Sequence, residues 1–211
     1  AGHLALTVVG LRLAAELLVM LLWPGQDMTM LYALSALLLS IGALYIPALL
    51  FIRKGRQVES YGRKRINGRA AAWSLVMGVG LFLFTVGANG LFQMLLEPWG
   101  IQPVETQLPP TDGWRILSAL VLIVIVPPIT EETLFRGVLL NAWRPMGRAR
   151  AILLTSLLFA LFHFDAASMP AIFLLACFLG VAAYDLHTVY PSMIAHAVHN
   201  LISLALTVMA G

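Results

Sequence analysis

Apolar runs close to helix-spanning length recur along the chain, over residues 4–23, 28–52, 70–96, 114–143, 149–163, 169–185 and 191–210. Charged, glycine and proline residues gather between them. A hydrocarbon core about 30 Å thick needs roughly 20 consecutive apolar residues in a helix. The pattern therefore predicts an all-α, polytopic transmembrane bundle of about seven helices, the fourth long and the fifth and sixth short. No segment repeats at a fixed period and no low-complexity linker divides the chain, so residues 1–211 read as a single transmembrane domain.

Composition agrees with that pattern. The chain is 60% hydrophobic and 11% charged, with a mean hydropathy of +0.89. A soluble domain carries about 25% charged residues, so this one lacks the groups to cover a water-facing surface. The first apolar run holds Arg12 and Glu16 in its middle and no clear small-residue cleavage site, so it reads as a retained helix rather than a cleaved signal peptide. The single cysteine, Cys177, excludes an intramolecular disulfide and reads as a small core residue. The net charge of +3 matters less than its placement. Arg53, Lys54, Arg56, Arg63, Lys64, Arg65 and Arg69 separate the second and third runs, and Arg144, Arg148 and Arg150 separate the fourth and fifth. Both loops fall on one side if every run crosses once, which assigns them to the cytoplasm. The other connections carry Asp27, Glu97, Glu105, Asp112 and Asp165. The proline-rich connection 97–113 is expected to be extended. The lipid bilayer is the expected surrounding partner, and no nucleic-acid partner is expected.

A charge at the centre of a spanning helix costs roughly 2.5–3.5 kcal/mol on insertion scales, so each one calls for a partner or a task. Arg12 and Glu16, four residues apart, can neutralise each other. Asn89 and Gln93 share that spacing and are expected to hydrogen-bond neighbouring helices. In the fourth run Pro127 and Pro128 remove backbone donors just before Glu131, Glu132 and Arg136. Glu132 and Arg136 are spaced to pair along one face; Glu131 points about 100° away, leaving a carboxylate available as a general base in an intramembrane polar cavity. His163 ends the fifth run, and His196, His199 and Asn200 lie together in the seventh, His196 and Asn200 on one face. Glu131 precedes Arg144 by 13 residues and His163 follows Arg150 by 13. Both therefore sit roughly 20 Å from the basic loops, while Asn200, counted from Pro191, rises only about 14 Å. On that count the site lies nearer the external face.

At these residues the chain resembles the CAAX protease and bacteriocin-processing family of intramembrane glutamic-type proteases, related to the Ras-converting CAAX endopeptidases. The family's Glu-Glu-x-x-x-Arg motif is matched by Glu131, Glu132 and Arg136, its Phe-x-x-x-His by Phe159 and His163, and its His-x-x-x-Asn by His196 and Asn200. The three occur in the family's order within a core of about residues 115–205. The resemblance implies an intramembrane endopeptidase of a prokaryotic cell membrane, acting on a membrane-associated or lipid-anchored protein or peptide. It implies that Glu131 and His163 activate water, that His196 and Asn200 stabilise the oxyanion, and that Glu132 and Arg136 support them, with no cofactor.

The residue types suit that chemistry: a base for water, donors for the oxyanion, and an acid for the leaving amine. A rival reading is a zinc peptidase with Glu131, His163 and His196 as ligands, since one glutamate and two histidines form an accepted catalytic set. Others are a non-catalytic bacteriocin-immunity or scaffold protein, and a transporter using the same charges as a proton relay, for which no duplicated halves are found.

Overall fold

Backbone inside hydrocarbon must satisfy its own N–H and C=O groups, and the described residues do so with helices and the short turns between them. The structure, a computed structural model, describes residues 40–54, 65–101 and 113–210, together with residues 7, 10, 11 and 14. Arg12, Glu16, most of the first two apolar runs and residues 102–112 of the proline-rich connection lie outside the described residues. No strand occurs among those described.

Helix α1, Ile46–Lys54, is entered from a π-helical turn, Ser40–Tyr45. Helix α2, Gly68–Leu96, starts where the Asn67 side chain accepts the Ala70 N–H at 2.8 Å, satisfying a donor that has no partner within the helix. It ends in a 3₁₀ turn, Glu97–Trp99, with Pro98 in its first turn and Gly100 at φ +70°. The connection thus begins as a turn rather than extended chain, because proline without its N–H suits a first helical position. Helix α3, Arg115–Met146, is a composite of 32 residues in which α-helical turns alternate with the π-helical stretches Leu120–Ile125 and Thr133–Leu139. Helices α4 (Arg148–Leu161), α5 (Met169–Leu186) and α6 (Tyr190–Ala210) complete the bundle.

Four helices among the described residues are long and apolar enough to cross a membrane: Gly68–Trp99, Arg115–Met146, Met169–Leu186 and Tyr190–Ala210. The expected fifth crossing is the 14-residue α4, which rises only about 21 Å. That rise is shorter than a hydrocarbon core of about 30 Å.

Leu134, Phe135, Val138 and Leu139 of α3 pack against Phe159 of α4, Leu175 and Leu179 of α5 and Ala195 of α6. The opposite faces, including Leu75, Val79, Leu83 and Leu91 of α2, are exposed and apolar, as a lipid-facing surface requires. Helices α2 and α6 meet at Gly78, where a Cβ would stand 2.6 Å from Val198 Cβ and 2.7 Å from the Ala195 carbonyl oxygen. A small residue at the crossing lets two backbones approach, which is how helices associate in lipid. At the basic end, Arg148 forks onto Asp185 at 2.9 and 2.6 Å, and Arg144 lies 3.9 Å over the Tyr184 ring. An apolar cavity of about 360 Å³ opens at this end, lined by Arg69 and Trp73 of α2, Leu186 of α5 and Pro191 of α6. The described parts of both basic loops therefore share one end of the bundle.

Candidate active site

The double proline sets the local backbone. An α-helical bond to the Ile123 carbonyl would come from residue 127 and a π-helical one from residue 128; both are proline and have no N–H. The amide of Asn200, on α6, takes the place of the missing donor: its Nδ2 donates to Ile123 O at 2.9 Å. Thr130 and Thr133 donate their hydroxyls back to Val126 and Ile129 carbonyls, at 3.0 and 2.6 Å. Beyond Glu132 the wider π turns Thr133–Leu139 begin, held at their far side by Asn141 Nδ2 donating to the Arg136 and Gly137 carbonyls. Such π stretches recur at functional sites.

These turns also narrow the depth mismatch on α6. A π turn takes more residues than an α turn, so Glu132 stands closer to the basic end than a uniform rise places it. It meets His196 there, whose Nδ1 donates to Glu132 Oε1 at 3.1 Å.

Glu132 and Arg136 are buried, at 0% and 1% exposure. Arg136 Nη1 donates to the same Oε1 at 2.9 Å, and Nη2 donates to the Ala176 carbonyl of α5 at 3.0 Å. One carboxylate oxygen thus gathers a guanidinium and an imidazole. Glu131, one residue earlier, is half-buried, and its Oε2 is shielded from solvent with no hydrogen-bond partner among the described residues.

Phe159 is the hub of the site. Its ring has the Arg136 guanidinium 4.4 Å from its centroid. The His163 ring lies at 4.8 Å, Phe135 at 5.1 Å and His196 at 6.0 Å. His163 stands in the turn that follows α4, exposed beside Phe164, whose φ is +52°. Its Nδ1 lies 2.8 Å from the Phe159 carbonyl oxygen. A carbonyl only accepts, so that nitrogen carries a proton, and in the neutral ring the lone pair is on Nε2. The same reasoning puts a proton on His196 Nδ1.

Sequence reasoning placed Asn200 beside His196 as a free donor, and the structure gives it further contacts: its Oδ1 faces His199 Nδ1 at 3.1 Å. One of its two N–H groups serves Ile123, and the second has no partner among the described residues. Asn89, expected to bond a neighbouring helix, has its Oδ1 buried without a partner among the described residues. Thr85, on α2, was not anticipated; its Oγ1 lies 2.8 Å from His199 Nε2. Nothing local marks that threonine, since its partner is 114 residues away. Among the described residues no three His, Cys, Asp or Glu side chains are grouped to hold a metal ion, so Glu131, His163 and His196 do not converge as a ligand set.

A family model described as type II CAAX prenyl endopeptidase Rce1-like matches residues 113–202. No curated protein and no solved structure matched the chain. The matched stretch contains Glu131, Glu132, Arg136, His163, His196 and Asn200, and stops short of α2.

Proposed function

Membership of the CAAX protease family, supported by the match over residues 113–202, is the premise from which we propose a glutamate-dependent intramembrane endopeptidase acting on a membrane-associated or lipid-anchored protein. Glu131 takes a proton from water, and the lone pair of His163 Nε2 holds the same water. The hydroxide attacks the carbonyl carbon of the scissile peptide. The resulting oxyanion accepts from the second N–H of Asn200 and from His196. Because Nδ1 of His196 faces Glu132, a donation from His196 to the oxyanion comes through Nε2 and needs a proton on that nitrogen as well. Glu131 then passes its proton to the leaving nitrogen, the C–N bond breaks, and a carboxylate and an amine depart. Glu132 and Arg136 position the donors and touch no reacting atom.

The observation that carries this reading is the contrast between neighbours: each has one shielded oxygen without a hydrogen bond, but Glu132 is held through its other oxygen by Arg136 and His196, while Glu131 is in no ion pair among the described residues. A carboxylate outside an ion pair has its oxygens available to accept a proton from water. The turn holding His163 supplies the water. Within a bilayer, backbone outside a helix is stable only where it faces protein or a wet cavity, and His163 and Phe164 of this turn are both exposed.

The test is proteomic comparison of cells carrying the wild-type protein with cells carrying Glu131→Gln, read as accumulation of an uncleaved membrane-anchored precursor. With purified protein, a fluorescence-quenched peptide bearing a prenylated cysteine near its C-terminus is the first probe, chosen from the family's description. The substitution should abolish turnover while the protein stays folded and inserted; retained cleavage would point to a non-catalytic or scaffold protein.

A further inference from the structure

Helix α2 lies outside the matched segment, yet it reaches the site through one hydroxyl. We propose that Thr85 and His199 are positioning residues that fix the orientation of the Asn200 amide, an inference that rests on the peptidase reading above.

The argument follows the protons from one end. Ile123 O has lost both helical donors to Pro127 and Pro128, so the group facing it at 2.9 Å is the NH₂ of Asn200. That decides which way the amide is turned: its oxygen faces His199 Nδ1 at 3.1 Å. An amide oxygen only accepts, so His199 Nδ1 carries a proton. Its Nε2, at 2.8 Å from Thr85 Oγ1, then accepts the Thr85 hydroxyl hydrogen when the ring is neutral. Thr85 Oγ1 also lies 2.9 Å from Leu81 O and 3.1 Å from Phe82 O. If Nε2 too is protonated, the hydroxyl hydrogen swings to one of those carbonyls and the oxygen accepts from the ring. The chain Thr85, His199, Asn200, Ile123 is thus satisfied in both states of the ring, and in both the amide keeps its orientation. The edge of Phe82 packs on His199 at 6.0 Å and hinders its rotation. What remains of Asn200 is one N–H, on an amide fixed by Ile123 on α3 and by His199 on α6, which Thr85 on α2 holds in turn.

Two measurements test this, and only one needs turnover. In protein labelled with ¹⁵N-histidine, nuclear magnetic resonance should show His199 protonated at Nδ1, assigned by the signal missing in His199→Gln. An unprotonated Nδ1 would overturn the proposal without any substrate. In the peptidase assay with the quenched prenylated peptide, Thr85→Val should lower kcat about tenfold with KM within about twofold, less than the roughly 10²–10³-fold loss of a whole oxyanion donor. Thr85→Ser, which restores the hydroxyl, should recover kcat. In an Asn200→Ala background Thr85→Val should add nothing, since groups in one network are not additive. If Glu131→Gln is inactive but Thr85→Val turns over like wild type, the positioning role is wrong and the peptidase reading stands. If Glu131→Gln retains turnover, or the wild type does not cleave the peptide, that counts against the peptidase reading, and the resonance measurement decides the proton chain by itself. Should Thr85→Val fail to fold, Thr85→Ser and the wild-type spectrum still decide.

Discussion

At the scale of single residues, the proposed chemistry rests on two adjacent carboxylates with different partners. Glu132 shares one oxygen between Arg136 and His196 in a fully buried setting. Removing one member of such a pair leaves an uncompensated charge in low dielectric, a loss of about 3–5 kcal/mol. Arg136→Ala should accordingly lower the melting temperature in detergent and reduce turnover together, checked by thermal unfolding beside the peptide assay. Activity lost at an unchanged melting temperature would place Arg136 against substrate instead. The reading also needs no resident metal, so chelator treatment followed by elemental analysis should leave activity intact; zinc-dependent recovery would restore the ligand set Glu131, His163 and His196. The four-residue spacings of Glu132 with Arg136 and of His196 with Asn200 were legible because one helix fixes both members. The free N–H of Asn200 was legible only in part. Its orientation depends on a carbonyl and a histidine proton that no spacing reveals.

Among the helices, the informative features are departures from regular geometry. Pro127 was readable as a break, but its consequence, an Ile123 carbonyl held by another helix, depends on tertiary packing. Pro127→Ala would return an N–H to that carbonyl and compete with Asn200. Turnover should fall while stability holds or rises, a split read by comparing kcat with the melting temperature. Equal losses in both would make the proline purely structural. The crossing of α2 and α6 gives a second test. A methyl at Gly78 must displace the Ala195 carbonyl and Val198, and overpacking of this kind costs typically 1–3 kcal/mol. Gly78→Ala should therefore destabilise the protein, whereas Gly80→Ala, with nothing within 4 Å, should not. Nothing in the hydropathy pattern separates these two glycines, since both sit in the same apolar run.

For the whole molecule, the basic loops mark one end of the bundle, and His163 lies at the far end of α4 from Arg148. Single cysteines at Asp165 and at Trp143, in a Cys177→Ala background, should respond oppositely to a membrane-impermeant thiol reagent on intact cells. Label at Asp165 alone supports an outward-facing turn; label at Trp143 alone inverts the molecule. The all-helical class was readable because apolar run length is a one-dimensional property. The shortness of α4 was visible too, but its effect on the depth of His163 was not, because depth depends on where neighbouring helices begin.

The bare Ile123 carbonyl also has a history in time. During synthesis α3 emerges and enters the bilayer well before α6, so its carbonyl meets lipid, or whatever shelters it, without Asn200. An unsatisfied polar group in hydrocarbon costs several kcal/mol, and that cost persists until α6 arrives. The arrival of α6 therefore completes two things at once, the hydrogen bonding of an earlier helix and the assembly of Glu132 with His196. A nascent chain halted before α6 has its carboxylates but cannot assemble the proposed site, so the order of translation itself delays completion of that site until the bundle is closed.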